Sequence, residues 1–85
     1  MANYSEAQAI INKMAEVKMT MNAHKGKIED VNPSAILELL GDEVEELGAA
    51  LAGSSLIHII EEAADVQNFL LAIVQQQLNA YRSRK

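Results

Sequence analysis

Cysteine and tryptophan are absent from this 85-residue chain, and proline and phenylalanine each occur once. Without cysteine there is no disulfide framework, no thiolate nucleophile and no cysteine-based zinc site. Three aromatic residues, Tyr4, Phe69 and Tyr81, are too few for a base-stacking platform. The longest uninterrupted apolar run, Phe69 to Val74, is far too short to cross a bilayer. Met1-Ala2-Asn3-Tyr4-Ser5-Glu6 has neither a basic region nor an apolar one of the kind that begins a secretory signal. Positive charge is scarce as well: the formal net charge is -5, and no Lys or Arg falls between Ile28 and Tyr81, a stretch that carries ten of the twelve acids. A general phosphate-backbone binder needs clustered Lys and Arg, so nucleic acid is excluded as a partner. The expectation is a soluble cytoplasmic protein that engages neither nucleic acid nor membrane.

What is present has helical spacing, and no alternating apolar-polar run signals a strand. Ser5-Glu6-Ala7-Gln8 reads as a capping box opening a first helix, with Ile10, Met14, Val17 and Met21 as its apolar stripe and Gly26 as its stop. Asn32-Pro33 opens a second, because Asn is a preferred N-cap and Pro is tolerated at the first helical position. Its stripe is Ile36, Leu40, Val44, Leu47 and Leu51, and Gly53-Ser54-Ser55 both ends it and caps the next. From about Leu56 to about Arg82 there is no Gly or Pro, which predicts one helix of roughly 40 Å or two helices joined by a bend. The fold class is therefore all-α, with three to four helices in a single domain spanning residues 1–85. A domain of this size buries only about two-thirds of its unfolded surface. With Val66, Leu70 and Ile73 continuing beyond the reach of the other helices, completion by a second subunit is expected, as a homodimer or homotetramer.

Acid-acid-x-x-acid occurs twice, on either side of the predicted turn. Asp42-Glu43-Val44-Glu45-Glu46 lies on the second helix and Glu61-Glu62-Ala63-Ala64-Asp65 on the third. In each module the second and last acids are three apart, on one side of a helix. An antiparallel hairpin sets Glu43 and Glu46 against Glu62 and Asp65, while Asp42 and Glu45 face solvent. Solvated acidic faces usually interleave Lys or Arg four residues on, and this one has none. Four inward carboxylates repel one another unless a cation neutralises them, and an all-oxygen set suits magnesium, manganese or calcium rather than zinc.

These residues resemble the MazG-like, all-alpha nucleoside triphosphate pyrophosphohydrolases, marked by EExxE on one helix and ExxD on the next. The pattern here is Asp42-Glu43-Val44-Glu45-Glu46-Leu47, with Asp in place of the first Glu, then Glu62-Ala63-Ala64-Asp65-Val66. Asn22-Ala23-His24-Lys25-Gly26 and Asp65-Val66-Gln67-Asn68-Phe69 are similar to the small, often phage-encoded branch. The resemblance implies hydrolysis of a (d)NTP to (d)NMP and pyrophosphate, with magnesium or manganese held by Glu43, Glu46, Glu62 and Asp65. Such a reaction cleans nucleotide pools. It needs no protein nucleophile, because the metal activates water and offsets charge on the phosphates. Glu46 is a candidate for taking the water's proton, although sequence does not separate a ligand from a base.

Lys18, Asn22 and Lys25 share a face of the first helix, where the lysines suit a triphosphate tail and Asn22 a sugar or base. Asn68, three after Asp65, is a further candidate to touch nucleotide or to pack helices. His58 precedes Glu62 by four but stays outside the metal set, since a lone His on an apolar helix is usually a packing residue. A ferritin-type di-metal site needs Glu-x-x-His, which is missing. The alternative from another class is a non-catalytic helical oligomerisation or adaptor protein, its acids serving solubility alone. Magnesium calorimetry separates the two, because an adaptor gains no thermal stability from the ion.

Overall fold

The computed structural model describes residues 3–22 and 31–84. Three helices run in order, α1 (Ser5–Met21), α2 (Pro33–Leu51) and α3 (Leu56–Ser83), and no strand occurs among the described residues. The fold is all-α, as expected. Both α1 and α2 pack on α3 and barely touch each other. As one unbroken helix of 28 residues, α3 accounts for most of the 45 Å long axis.

Local chemistry sets most helix ends where the sequence puts them. Asn32 Oδ1 accepts from the Ser34 N–H at 2.8 Å with Pro33 in the first turn, and Ser55 Oγ accepts from the His58 N–H at 3.3 Å. Both caps satisfy amide hydrogens that a helix start leaves without a partner. The start of α1 differs. Its capping box does not form: Tyr4 is the N-cap, and Asn3 Oδ1 takes the Ser5 N–H at 2.9 Å. An Asx turn two residues long outcompetes the wider Ser-to-Gln box, leaving Ser5 inside the helix. Asn22 ends α1, its N–H bonded to the Lys18 carbonyl at 3.0 Å, so the helix stops short of Gly26. Gly26 and Lys25 lie outside the described residues.

The buried faces are rotated from the apolar stripes read above. On α2 the inward positions are Ile36, Leu40, Glu43, Leu47 and Ala50, a four-three repeat passing through an acid. Val44 and Leu51, both assigned to the stripe, are 51 % and 65 % exposed. On α1 the inward positions are Ile11, Met14, Ala15, Lys18 and Asn22, while Ile10, Val17 and Met21 are exposed. The core is thus made largely of small side chains, with Ala15, Ala50, Ala64 and Ala72 buried beside Ile36. Two four-three seams meet on α3, and both lead to polar side chains at its middle.

Candidate metal and phosphate site

The hairpin of α2 and α3 turns through residues 52–55, which lays Glu43 against the turns of α3 that carry Glu62 and Asp65. One carboxylate oxygen from each of these three lies within 4.8 Å of the other two. All three side chains are half-buried. Glu46 lies beside Glu43 and Glu62 but on the open side, exposed to solvent. Asp42 and Glu45 face away into water, as their spacing predicts.

The cluster is short of compensating donors. Oε2 of Glu43 and Oε2 of Glu62 are buried without a hydrogen-bond partner. Carboxylates supply only acceptors when ionised, so none of these acids can donate to another while all are charged. Burial, then the charge of Glu46 and a side-chain hydrogen bond with it, then the charges of Asp65 and Glu62, push the Glu43 carboxyl from 4.5 up to about 7. Burial also raises Glu62, helped by Glu46 and Asp65 and opposed by His58, whose Nε2 is 3.8 Å from Glu62 Oε1. For Asp65 burial again acts upward, while Lys18 pulls the other way with Nζ 3.4 Å from Oδ2. Oxygen-only donors with orphaned buried lone pairs fit a hard divalent cation. His58 remains at the margin, more exposed than the acid it faces.

The remaining candidates divide. Lys18 reaches the acidic cluster directly. Asn22 is half-buried one turn further along the same seam of α1. Asn68 is buried and committed through Nδ2, which donates to the Ala15 carbonyl at 3.1 Å, while its Oδ1 has no partner. Lys25 lies outside the described residues. Two contacts had escaped the sequence reading, the Gln67 Nε2 bond to Asn12 Oδ1 at 2.8 Å and the Gln76 amide bond to the Val31 carbonyl. The four-three spacing of Ile36, Leu40, Leu47 and Ala50 was the available signal that Glu43 shares the packing face. A shallow apolar groove of about 360 Å³ lies elsewhere, between α1 and the start of α3, lined by residues that include Ile10, Met14, Val17, Ile57 and Ile60 but none of the acids.

Two helices that bring EExxE-type and ExxD acids together in an all-α fold define a MazG-like pyrophosphohydrolase. The family model described as phosphoribosyl-ATP pyrophosphohydrolase matches residues 7–79, and the chain belongs to that family. No curated protein and no solved structure matches it. Pyrophosphohydrolysis is the general activity that membership carries. Among the described residues, no helix is long and apolar enough to cross a membrane.

Proposed function

We propose that this pyrophosphohydrolase cleaves nucleoside triphosphates between the α and β phosphates, yielding a nucleoside monophosphate and pyrophosphate in cytoplasmic nucleotide pools. Magnesium, or manganese in its place, is held by Glu43, Glu46, Glu62 and Asp65. The observation that carries this reading is the convergence of Glu43, Glu62 and Asp65 oxygens, together with the buried Oε2 atoms of Glu43 and Glu62 that have no hydrogen-bond partner. A divalent cation bound there would offset the charge that builds on phosphate oxygens. The protein's own residues do the rest. Lys18, held at the edge of the acids, presents a compact cation to the triphosphate tail, with Lys25 as a second. Asn22 contributes polar atoms along the α1–α3 boundary, where sugar and base lie. Glu46, solvent-facing beside two half-buried acids, takes the proton of the attacking water.

Pyrophosphate release from a panel of triphosphates tests this, run with magnesium, with manganese and with chelator. Phosphoribosyl-ATP, named in the family's description, is itself a triphosphate and belongs in the panel. Monophosphate and pyrophosphate should appear in equal amounts, and only with metal. Orthophosphate as the product, or undiminished turnover in chelator, contradicts the proposal.

Two or four copies of the chain make up the working enzyme in this reading. The accessible surface of 6313 Å² exceeds by roughly a quarter the area of a compact monomer of this mass. Leu70, Leu71, Val74, Leu78 and Tyr81 on α3 are among the exposed large apolar side chains. That surplus is larger than the roughly 800 Å² per partner of a standard interface. Sedimentation should find a dimer or tetramer at micromolar concentration, and a monomer there contradicts the assembly.

A further inference from the structure

Lys18 meets Asp65 only if α1 lies on α3 in one register, and the apolar residues buried between those helices specify register poorly. Ala15, Ala64 and Ala72 are small and smooth. A slip of one residue carries a side chain about 1.5 Å along the helix and about 100° around it, which takes Lys18 off the seam. Asn68 differs in kind. It is 5 % exposed, and its Nδ2 donates to the Ala15 carbonyl at 3.1 Å. Asn68 stands one turn after Asp65, and Ala15 one turn before Lys18. The Asn68–Ala15 hydrogen bond and the 3.4 Å Asp65–Lys18 contact are therefore neighbouring rungs between the same antiparallel helices. A buried directional bond selects one arrangement where apolar contact tolerates several. The Gln67–Asn12 bond joins the same helices but is exposed, so water competes for both partners.

We infer that Asn68 is a positioning residue: by bonding the Ala15 carbonyl it sets the α1–α3 register that holds Lys18 at the acidic cluster. This rests on the assignment of Lys18 to substrate phosphate. Asn68→Leu is nearly isosteric and removes a buried orphan oxygen along with the bond, so the fold is retained. Asn68→Ala, smaller than the native side chain, gives the same reading should leucine overpack the site.

Two measurements on the full chain decide the matter. Zero-length carbodiimide coupling, mapped by peptide mass spectrometry, reads the Lys18–Asp65 contact without catalysis, with Lys18→Met as the blank. Its yield should fall at least fivefold in Asn68→Leu. Steady-state kinetics of pyrophosphate release should show KM raised several-fold in Asn68→Leu with kcat nearly constant, and no further rise when Asn68→Leu is added to Lys18→Met. An unchanged coupling yield overturns the inference, as does a KM effect that persists in the Lys18→Met background. If the parent protein releases no pyrophosphate, the functional proposal fails by that result, and the coupling yield alone still decides whether Asn68 sets the register.

Discussion

The two interfaces on α3 are built on different principles. Against α1, polar groups find partners: Gln67 with Asn12, Asn68 with Ala15, Asp65 with Lys18. Against α2, apolar anchors such as Ile36 and Ala50 flank Glu43 and Glu62, each with one buried oxygen that has no hydrogen-bond partner. One side is electrostatically closed and the other is open. The open side stores repulsion that folding alone does not relieve, and a bound proton or a bound cation lowers it. The closed side contributes a cation to that site, Lys18, so the two interfaces share Asp65.

The strongest way to break the contrast is to remove an acid from the open side. Glu62→Gln should lower the rate of pyrophosphate release by about a hundredfold or more, since ligand geometry is lost while bulk is kept. Circular dichroism should show helix content unchanged; normal turnover in this variant would sink the ligand assignment. Lys18→Met acts from the closed side and should raise KM about tenfold, the loss of one charge-assisted phosphate contact, with kcat affected less. An unaltered KM would mean that Lys18 serves Asp65 alone.

Thermal effects sharpen the comparison further. Millimolar magnesium should raise the melting temperature by several degrees over chelator, because an ion that binds only the folded state stabilises it. Equal melting temperatures in both would count against a metal site. Glu43→Gln in chelator at pH 8 should also melt higher than the parent, by about 4–8 °C if relief amounts to about 1 kcal/mol after screening by solvent.

The smallest effect concerns pH. With Glu43 raised from 4.5 to about 7 in the folded state, the native protein binds more protons than the unfolded chain between those values. Stability in chelator should therefore fall as pH rises through that window, and the Glu43→Gln variant should show a shallower fall. A parent whose stability climbs over the same range would show the carboxyl to be unperturbed.

Much of this was legible from local chemistry. Asn32 opens α2 and Ser55 opens α3 where their side chains cap amides two or three residues away, and such contacts need no distant partner. The paired acids were equally plain, since three-residue spacing places Glu43 with Glu46 and Glu62 with Asp65 on any helix. Rotation was not legible. Val44 and Leu51 suggested the inward face of α2 by hydropathy, yet Glu43 and Ala50 hold it. Hydropathy averages what each residue prefers, and a site residue stands where binding requires it. Asn68 shows the same gap, since nothing nearby in the chain announces that it bonds a carbonyl 53 residues away.

Helix identity, helix boundaries and the opposed acidic pairs thus follow from interactions within one or two turns of the chain, where covalent connectivity already holds the groups together. Which faces meet, and so which acids lose their water and which lysine reaches them, came from the packing of α1 and α2 on α3. Desolvation depends on the surface a neighbour brings, and that surface comes from residues far away along the chain.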